Sequence, residues 1–240
     1  MSIAQSTLGL EDEGLAQVLS DLARSLAKES SVDETLDAMT ESSVLTVPGA
    51  DYAGISLVEG RRDIHSVAPT AKLVELADLA QEELNEGPCI DAIWQQRTVS
   101  VENMEAEHRW PRFAPRAVGL GVRSMLSFQL FTDGRNLGAL NLYSCRPHAF
   151  HSDSVYVGGL FASHAAVALR GAQMQKQLNQ AVESRDVIGQ AKGILMERHT
   201  ISSDQAFALL VRTSQTTHRK LIEVAELLVR SVEAQAVAAG

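Results

Sequence analysis

Residues 184–229 read SRDVIGQAKGILMERHTISSDQAFALLVRTSQTTHRKLIEVAELLV, and this stretch predicts the fold of the C-terminal part of the chain. Apolar residues recur at helical spacing from Val187 through Ala191 to Leu195, which indicates an amphipathic helix that ends near His199. Polar residues follow, so a new element is expected shortly afterwards.

Two further helices are predicted after the first. Ser202 and Gln205 have the spacing of a capping box, in which each side chain accepts a hydrogen bond from the other residue's backbone amide. The polar run 213–217 indicates that this helix ends there and that the next one is capped. An apolar stripe from Leu221 to Leu228 predicts the third helix.

Two glycines interrupt the first predicted helix. Gly189 and Gly193 lie four residues apart, and each costs roughly 1 kcal/mol relative to alanine inside a helix. A residue without a side chain lets another backbone, or a nucleic-acid phosphate, approach the helix closely. Of these two explanations, physical considerations alone favour close packing of another helix.

Short motifs are spread over all three predicted helices: Ile188, Ala191 to Met196, Ala206-Phe207, Ser214-Gln215, Lys220-Leu221 and Val224-Ala225. Together they resemble the ANTAR family, small three-helix RNA-binding modules that act in transcription antitermination. The resemblance implies binding to tandem RNA stem-loops that compete with a terminator hairpin. His218 stands where the family has asparagine, so a contact made through that amide does not carry over unchanged.

Candidate RNA contacts follow from this resemblance. Loop RNA is bound by cations on its phosphates and by side chains that stack on, or hydrogen-bond to, splayed bases. Phe207 lies in an apolar stripe and is predicted to be core, so no aromatic stacking platform is expected. The candidates are the cations and the glycine beside one of them: Lys192, Gly193, Arg198, His218, Arg219 and Lys220.

The two ends of the chain differ in charge. The whole protein carries a formal charge of −9 with a pI near 5.3, which argues against indiscriminate binding to polyanions. Residues 184–230 hold seven Lys and Arg against five Asp and Glu, a local charge of +2 that leaves −11 for the rest. This small positive charge predicts weak, salt-sensitive binding to RNA. Two modules acting together would bind more tightly than one, so we expect a homodimer.

At 240 residues the chain has room for one sizeable domain and one small module. No apolar run is long enough to span a bilayer, and no cleavable signal pattern opens the sequence, so we expect a cytoplasmic protein without a membrane partner. Cys89 and Cys145 lack metal-ligand spacing and suit a reducing compartment.

The N-terminal part predicts an α+β fold, an antiparallel sheet with helices on its faces. Periodic leucines between Leu15 and Leu26 indicate a first helix, and a capping box of Ser31 and Glu34 opens a second one that ends at Pro48. The remaining elements are helices at Lys72–Leu84 and Phe113–Val118 and strands at Tyr52–Val58, Ile64–Ala68, Thr98–Val101, Ser124–Phe131 and Leu137–Tyr143.

Five short phrases occur in order in this part: residues 51–54, 86–89, 109–113, 121–126 and 138–144. The ordered set resembles GAF sensor domains, in particular those that precede ANTAR modules in actinobacterial proteins. The resemblance implies a six-stranded sheet with a pocket for a small ligand on one face. Candidates for lining this pocket are Tyr52, Cys89, Trp94, Trp110 and Phe113.

Cys89 has two interpretations. It follows Gly87-Pro88 beside a predicted helix start, where amide dipoles can lower the pKa of a thiol and make it a redox sensor. The favoured alternative is a small buried apolar residue. GAF relatives that reduce methionine sulfoxide use several cysteines, and the two cysteines of this chain support that activity only weakly.

Motifs for catalysis and metal binding are missing from the sequence. No phosphate loop, HExxH motif or GxSxG elbow occurs, so we expect neither an enzyme nor a bound cofactor. No metal is assigned, because the histidines of the N-terminal part show no paired ligand spacing: His65, His108, His148, His151 and His164.

One apolar row, with a residue at every seventh position from Leu160 to Leu195, crosses from the N-terminal part into the C-terminal module. The companion row is mostly polar and includes Arg185 and Lys192, so a long helix is predicted but a tight coiled coil is not. We divide the chain into a GAF-like sensor at 11–170, a helical connector at 171–183 and an ANTAR module at 184–235.

The sequence thus predicts a signal-responsive, RNA-binding antitermination regulator, in which signal binding changes the packing of two long helices in a dimer. A small ligand, a redox change or an upstream kinase stays open as the input. A DNA-binding regulator that uses three helices in a helix-turn-helix manner is an alternative, and a sulfoxide-reducing enzyme is another.

Overall fold

The computed structural model describes residues 31–60, 63–95, 97–132 and 134–239, with side-chain burial described as far as residue 234. The predicted helix between Leu15 and Leu26 lies outside these residues. The chain divides into two compact units, with the boundary between Gln173 and Met174.

The first unit contains an antiparallel sheet with helices on both faces, as the sequence predicted. Five strands pair in the order β2-β1-β5-β4-β3. The elements are α1 (Val32–Thr46), β1 (Tyr52–Glu59), β2 (Asp63–Val67), α2 (Lys72–Leu84), α3 (Pro88–Trp94), β3 (Thr98–Val101), a 3₁₀ turn (Met104–Ala106), α4 (Phe113–Leu120), β4 (Ser124–Thr132), β5 (Arg135–Ser144) and the first part of α5 (Ser152–His199).

The sheet differs from the expectation in one respect. The family resemblance implied six strands, whereas the described residues form five. The edges of this sheet are β2 and β3, which have only five and four residues. Short edge strands leave few unpaired backbone groups available for another strand.

Two apolar cores lie on opposite faces of the sheet because successive strand residues point to opposite sides. Leu140 and Leu142 of β5 pack with α1 and α5, where Met39 and Phe161 are fully buried. On the other face, Tyr143 lies in the core formed with α2, α3 and α4.

Local sequence signals explain where the helices begin. Ser31 and Glu34 form both bonds of the predicted capping box, each at 3.1 Å, and start α1. Pro88 occupies the first turn of α3, where the missing N–H of proline costs no helical hydrogen bond.

The second unit comprises the rest of α5 with two more helices, α6 (Ser203–Thr217) and α7 (Leu221–Ala239). The predicted capping box of Ser202 and Gln205 is present at the start of α6. All three helices contribute to a small buried core: Ala191 and Leu195 from α5, Ala206 and Leu210 from α6, and Val224 and Ala225 from α7.

The predicted break at 213–217 is wrong, because α6 continues to Thr217. The hydroxyls of Thr213, Thr216 and Thr217 each donate to a backbone carbonyl one turn earlier, at 2.8–2.9 Å. Side chains that usually compete with helical hydrogen bonds are therefore satisfied inside the helix.

Gly138 of β5 has a positive φ of 144° and lies against the backbone of β1. A Cβ at this position would lie 1.9 Å from the carbonyl oxygen of Ser56. Only glycine therefore allows the two central strands to pair at this point. Gly119 of α4 makes a suitable contrast, because a Cβ there meets no atom of the described chain within 4 Å.

We expect Gly138→Ala to lower the free energy of unfolding of the first unit by about 2–4 kcal/mol, because the strands must separate to admit a methyl group. Gly119→Ala should be neutral or stabilising by up to about 1 kcal/mol. Urea unfolding followed by tryptophan fluorescence reports this unit, since it holds both tryptophans, Trp94 and Trp110. Equal unfolding midpoints for the two variants would contradict the prediction.

Candidate RNA-binding surface and sensor core

One face of α5 in the second unit is basic. Arg185, Lys192 and His199 follow at seven-residue intervals, so each side chain leaves the helix within about 20° of the previous one. Arg185 and His199 are exposed, and Lys192 is half-buried. No carboxylate within the described part of the chain forms an ion pair with any of the three. We call this line of side chains the basic stripe.

An aromatic ring lies beside the basic stripe. Lys192 Nζ is 5.8 Å from the centroid of the Phe207 ring, the geometry of a cation–π contact. Phe207 is 42% exposed, so the prediction that it belongs to the core is wrong. The reason is the direction of α6, which turns Ala206 and Leu210 into the core and leaves Phe207 at its edge.

The two glycines of the first predicted helix are not explained by packing within this chain. A Cβ at Gly189 or Gly193 would find no atom of the described chain within 4 Å, apart from chain neighbours and the helix's own backbone. Both residues are exposed. Close packing by another helix of the described chain is therefore not the reason for either glycine, packing by a helix of a second copy stays a prediction, and the surface next to Lys192 is open to another molecule.

His218, Arg219 and Lys220 form an exposed turn between α6 and α7. His218 ends α6 in the left-handed conformation with a φ of 54°, and the amide of Arg219 donates to the carbonyl oxygen of Ser214 at 3.2 Å. The hydroxyl of Ser214 donates to the Arg219 carbonyl oxygen at 2.6 Å. Asparagine and histidine both tolerate this conformation, so the family's asparagine and His218 support the same turn.

The predicted RNA contacts are distributed over separate surfaces. Lys192 and Gly193 adjoin each other on α5, whereas Arg198 leaves the helix about 120° away from Lys192. Ten residues of α6 lie between Phe207 and His218, and the eleven residue steps span roughly 16 Å along the helix axis. The basic stripe and the turn at 218–220 are thus two distinct candidate contacts.

In the first unit, a cluster of buried polar side chains lies between α2 and the sheet. Asp78 of α2 is its centre. One of its carboxylate oxygens accepts from the Tyr143 hydroxyl, from Asn141 Nδ2 at 3.1 Å and from Gln81 Nε2 at 3.3 Å. The other oxygen accepts from Ser66 Oγ at 2.8 Å. Every buried polar side-chain atom in the described residues has a partner, so the cluster is fully satisfied.

Burial changes the proton affinity of this cluster. It raises the pKa of Asp78 from 3.8 to about 6, even though the hydrogen bonds from Tyr143 and other neighbours act in the opposite direction. Burial and the nearby charge of Asp78 also raise the pKa of Tyr143 well above its ordinary value. Asp78 is therefore a buried carboxyl group whose proton exchanges close to neutral pH.

Cys89 is a buried thiol rather than a reactive thiolate. Burial, followed by the charge of Asp78, raises its pKa to about 12. The amide dipoles at the start of α3 were expected to lower the pKa of this thiol. Burial has the larger and opposite effect, because a thiolate is destabilised when it is removed from water. The predicted role as a small buried residue is confirmed by its 1% exposure, and the raised pKa is opposite to the lowered pKa on which redox sensing through Cys89 was predicted.

Four of the five candidate pocket residues lie together. Cys89, Trp110 and Phe113 are buried in the core between the sheet and α2–α4, and Tyr52 is half-buried against it. Trp94 does not join them, because it is 44% exposed at the end of α3. Its neighbour Ile93 points inward instead and packs in that core.

An ion pair holds two of the family phrases together. Arg112 Nε donates to Glu86 Oε1 at 2.7 Å, and Glu86 Oε2 accepts from the backbone amides of Arg112 and Phe113 at 3.0 and 3.3 Å. The hydrogen bond from Arg112 lowers the pKa of Glu86. Glu86 thereby positions the start of α4 and, with it, the buried ring of Phe113.

No group of three or more His, Cys, Asp or Glu in the described ranges is placed to hold a metal ion. No helix in that part of the chain combines the length and the apolar character that crossing a bilayer requires.

The sequence contained one signal for the Asp78 cluster that periodicity did not reveal. Asp78 and Gln81 lie on the buried side of α2, among Val74, Ala77 and Ala80. A carboxyl and an amide on an otherwise apolar helix face are informative because such groups are rarely buried without partners. Arg185 was placed in one row with Lys192 by its seven-residue spacing, but it was not included among the predicted RNA contacts.

Asp78→Asn tests the buried carboxyl group. Because the pKa of Asp78 is raised in the folded state, its contribution favours folding below pH 3.8 and is lost as the pH rises through about 6. Relative to Asp78→Asn, the wild type should lose about 2–3 kcal/mol of unfolding free energy between pH 4 and pH 7. Urea titrations of both proteins by tryptophan fluorescence measure this difference. Parallel pH profiles would contradict it.

Several solved structures share the fold of the first unit. A free methionine-R-sulfoxide reductase from Neisseria meningitidis, in complex with its substrate, has a TM-score of 0.55 at 21% identity, over 67% of this chain and 91% of its own. The GAF domain of an Acinetobacter phosphoenolpyruvate-protein phosphotransferase has a TM-score of 0.52 at 15% identity, over 68% and 97%. The equivalent Coxiella burnetii domain has a TM-score of 0.53 at 13% identity, over 68% and 96%. At these identities the likeness concerns the fold alone.

Family models match both units. A GAF domain model matches residues 29–170, more than half of the chain, and an ANTAR domain model matches residues 176–229. No curated protein matches the chain in sequence. The chain therefore belongs to the GAF domain family, and its GAF domain is followed by an ANTAR domain, the domain pair of a signal-sensing, RNA-binding antitermination regulator.

Proposed function

We propose that this protein is a homodimeric antitermination regulator whose ANTAR domain binds tandem RNA stem-loops under the control of a signal received by its GAF domain. The observation that carries the proposal is the basic stripe of Arg185, Lys192 and His199 on α5. Its Arg185 and Lys192 are cations that pair with no carboxylate of the described residues, in a chain whose formal charge is −9. Such a surface can bind phosphates at one place on the protein, whereas the net negative charge does not favour attraction of polyanions to the protein as a whole.

The turn at 218–220 supplies the second contact. Arg219 and Lys220 are exposed there, and the Lys220 carbonyl oxygen accepts from the amide of Val224 at the start of α7. Amides at a helix start favour an anion, so Lys220 and the first turn of α7 suit a phosphate together. Arg198 and Gly193 complete the proposed RNA-binding set.

Pairing of two chains is proposed to occur through the part of α5 that precedes the basic stripe. Met174, Leu178 and Val182 recur every four residues, and each is more than half exposed. Exposed apolar side chains that line up along a helix normally contact another protein surface. A second copy of α5 would cover them, with residues 171–183 acting as the helical connector between sensor and module.

The signal is proposed to act on the α2–α4 face of the GAF domain, where Tyr52, Cys89, Trp110 and Phe113 belong to one apolar core and Asp78 lies between α2 and the sheet. This core is the candidate site for a small molecule, while an upstream kinase would act elsewhere. A change there would alter the packing of the paired α5 helices and, with it, the spacing of the two RNA surfaces.

Replacing Lys192 and Lys220 by alanine tests the RNA function. The probe is a tandem stem-loop RNA recovered by sequencing the RNAs that co-purify with the full-length protein. We expect the affinity to fall about 10- to 100-fold, and the slope of log K against log salt to decrease by roughly 1–2. Filter binding at several salt concentrations measures both quantities.

The matched control removes the same charge elsewhere. Lys72→Ala with Arg135→Ala also deletes two exposed cations, both in the first unit, and should leave RNA binding unchanged. Circular dichroism establishes that both double variants remain folded. Comparable affinity of the wild type for duplex DNA would favour the DNA-binding alternative, and failure to bind any recovered stem-loop RNA would refute the proposal.

Leu178→Glu tests the proposed dimer. A charge within the apolar line should shift the protein towards monomer in sedimentation experiments, because two buried carboxylates would face each other. Loss of pairing should weaken binding to a two-stem RNA more than 10-fold while leaving a single stem nearly unaffected. Gln180→Glu, two residues away on another side of α5, is the control. A dimeric Leu178→Glu protein would contradict the assignment.

A further inference from the structure

Phe207 is an exposed aromatic ring in a module whose other large apolar side chains mostly serve the core. The core residues of α6 are Ala206 and Leu210, and the ring of Phe207 stands at their edge with 42% of its surface exposed. Burial in the module therefore does not account for an aromatic side chain at this position. A ring left at a surface beside cations has the composition of a site that binds unpaired bases.

Positive charge surrounds this ring on the side of α5. Lys192 Nζ lies 5.8 Å from the ring centroid, and Arg185 lies two turns earlier on the same helix face. The carboxylates of Asp186 and Glu197 leave α5 about 120° or more from Lys192. On α6, Asp204 is one turn before Phe207, so the ring borders one carboxylate there while α5 presents cations to it.

The backbone of α5 is accessible along the same face. Gly189 precedes Lys192 by one turn, and a Cβ built on it would meet no atom of the described chain beyond its neighbours and its own helix. A side chain at position 189 would project from the helix between Arg185 and Lys192. The glycine leaves the helix surface between the two cations without a side chain, so that a sugar-phosphate backbone can approach the helix closely there.

We infer that Phe207 is a stacking platform for an unpaired loop base of the RNA, with Lys192 and Arg185 binding the phosphates on either side of that base. The inference rests on the proposed function and adds two contacts to it. It assigns the ligand class, a single-stranded nucleotide segment displayed by a stem-loop, because a base inside a duplex exposes no face for stacking. It also gives Arg185 the same kind of role as Lys192.

The test compares side chains at position 207 on the recovered stem-loop RNA. Phe207→Leu keeps an apolar residue but removes the aromatic ring, so affinity should fall roughly 5- to 100-fold. Phe207→Tyr keeps the ring and should bind within about 2-fold of the wild type. Leu209→Ala is the matched control, because Leu209 is 38% exposed on the same helix and points to another side. Arg185→Ala should reduce the salt slope by roughly 1.

A second variant tests the stacking directly. Phe207→Trp places a fluorophore at the site, and a stacked base should quench its emission when RNA binds. The two native tryptophans lie in the other unit and provide a constant background. This measurement holds even where Phe207→Leu loses helicity, since tryptophan preserves an aromatic ring.

The outcomes separate this inference from the proposed function. If the wild type binds no stem-loop RNA, the proposed function itself fails. If the wild type binds, but Phe207→Leu binds equally well and Phe207→Trp emission does not change, only the stacking platform is refuted. A Phe207→Leu protein that has become monomeric would assign the ring to a protein interface and would also overturn the inference.

Discussion

The seven-residue spacing along α5 keeps Leu178, Arg185, Lys192 and His199 on one face of the helix, because seven residues bring a side chain back to within about 20°. Around Leu178 this face is apolar and exposed, with Met174 and Val182 one turn to either side, and from Arg185 onwards it is basic. A second α5 helix would cover the apolar part, but two basic lines would repel each other. The proposed pairing of two chains therefore stops where the proposed RNA surface starts, and the change in side-chain chemistry separates the two roles.

The GAF domain shows a comparable constraint at its centre. Asp78 joins α2 to the sheet through Ser66, Asn141 and Tyr143, and burial makes its neutral form accessible near neutral pH. A ligand that bound here as proposed and displaced any of those hydrogen bonds would have to replace them, since a buried polar group without a partner costs about 1–3 kcal/mol. Selectivity would then come from donors and acceptors that match the cluster, while aromatic residues of the same core would supply apolar contact.

Much of this architecture was predictable because it depends on local signals. The capping boxes at Ser31 and Ser202 determine where helices begin, and alternating or helical apolar patterns located the strands and the three C-terminal helices. The exposure and the pKa of a side chain depend on which neighbours cover it in the folded chain, and local sequence patterns do not predict them. Phe207 has helical spacing typical of a core residue, yet α6 turns it outward, and Cys89 has a helix start beside it, yet burial determines its pKa. The threonines near the end of α6 resemble a break until their hydroxyls are seen to bond within the helix.

The charge distribution connects these surfaces to selectivity. At physiological salt the field of an exposed charge is screened over about 8 Å. The formal charge of −11 on the rest of the chain therefore weakens encounters with polyanions, but it does not cancel the positive charge of the basic stripe. Under the proposed function, a single ANTAR domain with a local charge of +2 would hold RNA only where cations, an aromatic ring and an accessible backbone coincide. Two such domains at a defined separation would multiply that weak binding for a two-stem RNA and leave single stems or uniform duplexes weakly bound. Control by the GAF domain would then require only a change in the separation of the two domains, because the effective concentration of the second site depends on distance.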